Sequence, residues 1–419
     1  MGQIKKIIVR AVTNLFRLLG IDIFRFYARA YPKWKYEKAK SSVKRDDGIS
    51  LVFDIALTYS LSQVGRDFVE KISKIKIPFT LLDITPPFLS SPHIEPKDEK
   101  YIRGLESNKI EQVAVLQFAA GDPITSNKAP LFFTPFWEFQ SGLFEGRADF
   151  FKGTRGAVVF SSFCHDYFST NAPKNYPILK MTYPLNTRPA VIDSKEMRQR
   201  FAIPDDFFAV FFNFDIRSSY DRKNPEGSLE AFAKAFKDNK KVCFVIKVSS
   251  ADADKTKMER LKAKSVALGI DGRIILITET LSRKEMLSLI ACSDIYLSLH
   301  RGEGLGLGIL EAMTVGVPVV ATNYGGNTDF CHNDTAMLVD YKLVTPKTDF
   351  PLFKEVKEWA EPDVNQAAMY LRQLYENPSI GKEKALAAKA FVEDYYSIEN
   401  FERDVRGFIE VAKKTSKKQ

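Results

Sequence analysis

Residues 298–322 read Ser298-Leu-His-Arg-Gly-Glu-Gly-Leu-Gly-Leu-Gly-Ile-Leu-Glu-Ala-Met-Thr-Val-Gly-Val-Pro-Val-Val-Ala-Thr322. The apolar run closing at Leu299 predicts a strand, and the glycines after it a loop. Leu307–Thr314 has helical spacing, and Pro318–Thr322 predicts the next strand. Strand, glycine loop, helix and strand together make one βαβ unit of a parallel sheet. Gly302, Gly304 and Gly306 permit positive φ and close backbone approach to a bound group. The helix N-terminus offers unpaired N–H groups and about half a positive charge, which suits a phosphate. Glu311 stands five residues beyond Gly306, roughly 7–8 Å along the axis, so its carboxylate could take both hydroxyls of a ribose. Glu303, inside the loop, could accept from a sugar on the far side of the phosphates. A dinucleotide-binding fingerprint would follow the first strand of its domain, whereas this loop follows the fourth. The bland alternative is a turn tightened by glycines with a capping glutamate. Two glutamates eight residues apart, framing the loop, favour a ligand.

Working outward, the flanking sequence repeats the same alternation. Strands are predicted at 209–214, 242–248, 273–278, 294–299, 318–322 and 336–340, with helices at 227–238, 255–268, 283–291 and 307–314. This half therefore reads as a doubly wound α/β domain, with ligands beyond the carboxyl ends of its strands. An earlier set of strands is predicted at 50–56, 79–84, 112–118, 131–136 and 157–161, with a helix at 62–74 carrying Val64, Phe68 and Ile72 on one face. The aperiodic, proline-containing segment 183–195 separates the two halves, and the chain ends in helices over 365–377 and 380–414. A second charged element, Phe214-Asp-Ile-Arg-Ser-Ser-Tyr-Asp-Arg-Lys-Asn-Pro225, directly follows the first strand of the later domain. Arg217 and Lys223 on it are placed to neutralise a diphosphate, with a solvated basic loop as the alternative.

These segments resemble the retaining glycosyltransferases of the GT-B fold, in particular the glycosyltransferase family 4-like group (group 1). Glu303 and Glu311 match that family's pair of glutamates eight apart, and Arg217 with Lys223 its Arg…Lys pair. The resemblance is strong over about 205–375, including Thr322-Asn-Tyr-Gly-Gly-Asn327 and Trp359-Ala-Glu-Pro-Asp363, and looser over 48–200. It implies an α/β GT-B architecture of two doubly wound Rossmann-like domains facing each other across a cleft. The resemblance does not cover 1–45; with the basic amphipathic helical segment that the alternation of charged and apolar residues predicts at 1–47, the expected division is an acceptor domain at 48–190, a donor domain at 191–395 and a C-terminal helix with basic tail at 396–419. The resemblance further implies retaining transfer of a hexose-type sugar from a nucleotide diphosphate sugar to a glycan or lipid-linked glycan, as in surface polysaccharide assembly, without a cofactor or divalent metal. Glu311 would hold the ribose, Glu303 the transferred sugar, and Arg217 and Lys223 the diphosphate. Gly304, Leu305 and Gly306 would face the phosphates or the sugar, and residues 279–281, with Thr280 and Leu281, would lie near the base. His300 adjoins this loop and reads either as a donor contact or as a local structural hydrogen bond. The histidine that many relatives carry in the N-terminal domain is missing; the nearest counterpart is Phe136-Trp-Glu138, where Glu138 reads either as a catalytic group or as a polar strand end. A non-catalytic scaffold that keeps the fold to bind a partner glycosyltransferase or a glycan is the competing function.

Composition narrows the remaining classes. At 45% apolar and 27% charged residues the 419-residue chain is ordinary globular protein. No apolar stretch reaches the ~20 residues that would span a bilayer. The four cysteines, Cys164, Cys243, Cys292 and Cys331, form no paired motif, which favours a reducing compartment and a cytoplasmic protein. The net +9 suggests nucleic-acid binding until its distribution is read. Residues 1–45 hold twelve basic and two acidic side chains, and Lys413, Lys414, Lys417 and Lys418 close the chain, leaving the body mildly acidic. No nucleic-acid partner is expected. Alternating apolar and basic residues over 1–45 suit an anionic membrane surface at the inner face of the cell membrane, with packing on the body or on a second copy in an oligomer as the rival. Asp252-Ala-Asp254 precedes a helix and is read as an N-cap, not a metal motif. Cys164 beside His165 is read as packing, not as a thiol nucleophile.

Overall fold

The computed structural model describes residue 35 and residues 40–54, 60–85, 105–106, 109–118, 131–144, 150–189 and 191–416. The basic segment assigned to helix over 1–47 falls outside these residues except at Lys35 and from Lys40 onward. From Lys40 the chain is strand, ten residues earlier than the alternation predicts. The described residues of 1–134, 151–157 and 406–419 form one compact unit, and those of 135–150 and 158–405 another. No helix among the described residues is long and apolar enough to cross a membrane.

The first unit carries β1 (Lys40–Phe53), α1 (Ser60–Ile72), β2 (Phe79–Asp83), β3 (Lys109–Phe118), β4 (Leu131–Phe133) and the start of β5 (Gly156–Val159). These strands run parallel in the order β2-β1-β3-β4-β5. The predicted face of α1 is the buried one: Val64, Phe68 and Ile72 are all inside, with the Phe68 ring centroid 5.2 Å from that of Phe118 on β3. The 40–47 part of β1 is too polar to announce itself, and only its pairing with β3 makes it a strand.

The second unit opens with α2 (Ser162–Asn171), β6 (Ile178–Lys180) and α3 (Ser194–Arg200). Next come β7 (Phe208–Asp215), α4 (Tyr220–Lys223), α5 (Pro225–Phe236), β8 (Val242–Ser249), α6 (Lys255–Ala267), β9 (Ile274–Ile277) and α7 (Arg283–Ala291). The chain then forms β10 (Ile295–Ser298), α8 (Leu307–Thr314), β11 (Val319–Thr322), β12 (Met337–Val339), β13 (Tyr341–Val344) and β14 (Trp359–Pro362). Helices α9 (Val364–Glu376), α10 (Pro378–Tyr395) and α11 (Ile398–Ser416) follow, the last continuing into the first unit. The single helix predicted over 380–414 is thus two, broken at Ser397, whose hydroxyl accepts from the Asn400 N–H.

The sheet of this unit is parallel in the order β12-β11-β10-β7-β8-β9. Its strands spread in opposite directions from the β7–β10 pair, where Ile295 and Tyr296 lie beside Val210 and Phe211. The loops leaving the carboxyl ends of β7 and β10 therefore emerge side by side at the topological switch point, where ligands bind in folds of this kind. These are the two stretches that the sequence marks, 215–224 and 299–306. One face of the sheet is covered by α5 and α9, and Phe232 of α5 lies fully buried and stacked on Phe244 of β8 with ring centroids 5.1 Å apart. Phe232→Ala is expected to cost about 3–5 kcal/mol, seen as a lower midpoint in urea unfolding, by removing a ring from a core that cannot collapse around the gap.

Candidate functional site

At the end of β7, Asp215 caps a short 3-10 turn over Ile216–Ser218 and holds the guanidinium of Arg217 with both carboxylate oxygens, at 3.1 and 2.8 Å. Arg217 is about half exposed in this arrangement. Two residues with positive φ then redirect the chain: Ser219 at +73° and Asn224 at +55°. Asn224 caps α5 through the Gly227 N–H and donates its amide to the Leu299 carbonyl at 2.9 Å, which ties this loop to the end of β10. The four-residue helix α4 between the bends turns Arg222 inward. Its guanidinium, buried, donates to the Gly302 carbonyl at 2.7 Å and the Ser218 carbonyl at 3.0 Å. The same group lies 3.4 Å from a Glu303 oxygen and 3.5 Å from a Glu138 oxygen, while Lys223 binds the other Glu303 oxygen.

Lys223, Glu303 and Glu138, expected from the sequence, are therefore gathered on one centre. Arg217 is not part of it. The buried cation beside Glu303 is Arg222, which the sequence does not single out because residue spacing carries no information about the two positive-φ bends that aim it. The available signal was its place next to Lys223, immediately before the Asn-Pro start of a helix.

The charges in this centre do not behave alike. Burial would raise the Glu303 carboxyl, but Lys223 and Arg222 overrule it and hold the group at about 2. Burial pushes Glu138 up, Glu303 adds to the push, and Arg222 offsets only part of it. Lys223 is lowered, by burial first and by Arg222 as well, against the pull of Glu303. Lys247, at the end of β8, is also buried and lowered by burial, its ammonium donating to the Val248 carbonyl and Ser249 hydroxyl.

The glycine loop departs from its expected conformation. Only Gly306, which precedes α8 and offers no capping side chain to the first-turn N–H groups, has positive φ, at +86°. Gly302 and Gly304 are needed for another reason. A Cβ at Gly302 would sit 2.6 Å from the Glu138 carbonyl oxygen and the Phe139 ring, and one at Gly304 would sit 3.0 Å from the Trp137 carbonyl oxygen. The close backbone approach assigned to a bound group is made at these two positions by the protein's own segment 137–139. Ser161 and Cys164 fasten the loop further, both bonding to the Gly304 carbonyl. Burial pushes the Cys164 thiol up to about 11, so it is not a nucleophile near neutral pH.

His300 is fully buried between the Ser298 hydroxyl at 3.0 Å and the Tyr324 carbonyl at 2.8 Å, and burial lowers its pKa. Neutral, with Nε2–H donating to Tyr324 and Nδ1 accepting from Ser298, it braces the loop from behind and keeps no ring nitrogen for a ligand. Leu305 is buried as well. Glu311, buried within α8, is bound by Arg283 at the start of α7, a partner that the sequence did not single out. Thr280, exposed, and Leu281, partly buried, lie on the β9–α7 loop that delivers Arg283. Asp254 accepts from the Lys257 N–H as the N-cap of α6. Asp252-Ala-Asp254 is thus a capped helix start, as read.

Residues 193–345 match the family model "Glycosyl transferases group 1". Over 88% of this chain and the whole of the other, the fold is similar to that of HepE from Anabaena, solved in complex with UDP and glucose, with a TM-score of 0.61 and 12% identity. A glycosyltransferase from Rickettsia africae covers 90% of this chain over its full length, with a TM-score of 0.61 and 14% identity. The pneumococcal O-GlcNAc transferase GtfA, solved with UDP and GlcNAc, is similar over 71% of this chain and 56% of its own, with a TM-score of 0.50 and 14% identity. No curated protein matches the sequence significantly. Such likenesses establish the fold: the chain has the two-domain, Rossmann-like α/β GT-B architecture that its sequence predicts.

The stability contributed by Glu303 depends on pH in a defined direction. Its folded pKa lies below that of an unfolded glutamate, so the contribution is present above about pH 4.5 and is lost as pH falls toward 2. Glu303→Gln is expected to unfold about 3–5 kcal/mol more easily at pH 7, because the buried Arg222 and the partly buried Lys223 lose their anion, with the gap to wild type narrowing below about pH 4.5 in urea titrations.

Proposed function

We propose, from the glycosyl transferases group 1 match over residues 193–345, that this chain transfers a sugar from a nucleotide diphosphate sugar to an acceptor alcohol. The observation that carries the reading is the Lys223–Glu303–Arg222 centre at the switch point, one loop away from the uncapped N-terminus of α8. Anionic phosphate is favoured at such a helix start, and a carboxylate fixed in its ionised form accepts hydrogen bonds from sugar hydroxyls. In this proposal the helix start and Lys223 receive the diphosphate, Glu303 the transferred sugar, and Glu311 the ribose. Arg217 joins the diphosphate only by giving up Asp215. The residues near 48–190 serve the acceptor and those of 191–395 the donor.

The proposed reaction retains configuration. The bond from the anomeric carbon to the phosphate oxygen breaks, the acceptor oxygen bonds to the same face of that carbon, and the acceptor proton passes to the departing phosphate. Lysine, arginine and helix dipole carry the leaving-group charge, so no divalent metal is required. A hexose-type sugar and a glycan or lipid-linked glycan acceptor, as in surface polysaccharide assembly, complete the proposal. The basic 1–45 segment would bring the protein to an anionic membrane surface from the cytoplasmic side.

Incubated with UDP-, GDP- and ADP-sugars and candidate acceptors, the protein is expected to release nucleoside diphosphate from one donor class only when an acceptor is present, at an unchanged rate in EDTA. Lys223→Ala and Glu311→Ala are expected to lower that rate by about 100- to 1,000-fold while remaining folded, and Arg217→Ala by less. Thermal unfolding unmoved by every nucleotide and nucleotide sugar would favour a non-catalytic scaffold instead. Deleting residues 1–39, which leaves β1 whole, is expected to abolish co-sedimentation with anionic vesicles; a truncated protein that still sediments refutes the membrane part alone.

A further inference from the structure

Resting on the donor reading above, we propose that Arg283 is a positioning residue for the donor's ribose, fixing the Glu311 carboxylate in the one orientation that accepts from both ring hydroxyls. Glu311 is 4% exposed in the middle of α8, and its Oε1 is held by Nη1 of Arg283. A carboxylate has two oxygens, and a cation seated on one of them defines where the other points. A diol needs that definition: two adjacent hydroxyls meet one carboxylate productively in a narrow range of rotations.

The surroundings of Arg283 are built to hold it in place. Ser282 caps α7, its hydroxyl taking the Glu285 N–H while the Glu285 carboxylate returns to the Ser282 N–H. Arg200 of α3 grips both Glu285 and Glu279, so the β9–α7 loop is fastened on either side of Arg283. A cation is the wrong charge for the first turn of a helix, where the dipole favours anions. Its place at the first position of α7 therefore answers to Glu311 and not to helix stability. Arg283 is also the only basic residue paired with Glu311 among the described residues. A merely structural role, in which Arg283 only neutralises a buried charge, would weaken folding and every nucleotide alike.

The test uses the full-length protein and calorimetric titration with UDP, GDP and ADP, then the 2′-deoxy and 3′-deoxy forms of whichever binds tightest. Wild type is expected to prefer the ribose form by about tenfold or more. Arg283→Ala is expected to weaken the ribose form by about tenfold and leave both deoxy forms unchanged, with Arg283→Lys recovering most of the difference. Arg283→Gln is read in place of the alanine variant should that one not fold. In a Glu311→Ala background the Arg283 substitution is expected to have no further effect, since the two act as a unit. In turnover Arg283→Ala is expected to raise the donor KM with kcat within about threefold. Undiminished ribose preference in the variants, or an equal loss on ribose and deoxy forms, overturns the role of Arg283 and leaves the donor reading intact. Wild-type protein that binds none of the three nucleotides overturns the donor reading and this proposal with it.

Discussion

A guanidinium cannot be left inside a protein without anions and carbonyls around it, and the buried Arg222 organises the second unit on that condition. Its donors reach the carbonyls of Ser218 and Gly302 and face the carboxylates of Glu138 and Glu303. Those four groups come from the β7–α4 turn, the glycine loop and the segment after β4. None of them is close to Arg222 in sequence except Ser218, so the cation fixes three separate stretches of chain at one point. The backbone adds to this, because the Arg301 N–H bonds to the Arg222 carbonyl at 2.8 Å. Arg301 itself grips Glu361 through two bonds and carries β14 against the same loop.

From that point the loop's shape follows by exclusion of side chains. Gly326 approaches Gly304 so closely that a Cβ would stand 2.1 Å from the Gly304 carbonyl oxygen, and Gly325 needs its φ of +101° to bring it there. The Gly326 N–H bonds to the Glu303 carbonyl at 2.7 Å, which holds the backbone of the residue whose side chain meets Lys223 and Arg222. Thr322-Asn-Tyr-Gly-Gly-Asn327 is thus the outer wall of the loop that begins at Leu299. Two stretches that read as separate matches in the sequence are one piece of structure.

How much of this was legible depends on what each residue type can signal. The β7–β12 strands are short, apolar and, β9 apart, largely buried, and their predicted limits agree with the structure to within two residues at each end. Glu303, Glu311 and Lys223 were visible because ionisable groups flanking a glycine loop are conspicuous in an apolar neighbourhood. The polar half of β1, the helix α2 and the pairing of the exposed β13 with β14 were not, since neither periodicity nor composition marks a segment whose structure is decided by its neighbours. Arg217 is singled out in the sequence by its place at the end of a strand and by the family's Arg…Lys pair, and neither points to Arg222. The difference between them is the backbone of Ser219 and Asn224, non-glycine residues at positive φ, which no pattern of hydrophobicity encodes. Nothing in the sequence decides His300 between ligand and brace; its burial and its contacts with Ser298, Tyr324 and Asn327 do.

Glu138 and Glu303 share Arg222 yet are driven to opposite sides of the usual carboxylate range. The asymmetry comes from Lys223, which binds Glu303 directly and reaches Glu138 only at a distance. With Lys223 beside it, Glu303 keeps its charge well below the usual carboxylate range, and the charge it keeps raises Glu138 in turn. Two carboxylates with one cation between them thus divide the work that either could do alone: one is a permanent acceptor of hydrogen bonds, and the other holds a proton at a higher pH than a free glutamate would. Removing the charge of Glu303 would therefore alter two groups at once, the carboxylate lost and the one left facing Arg222.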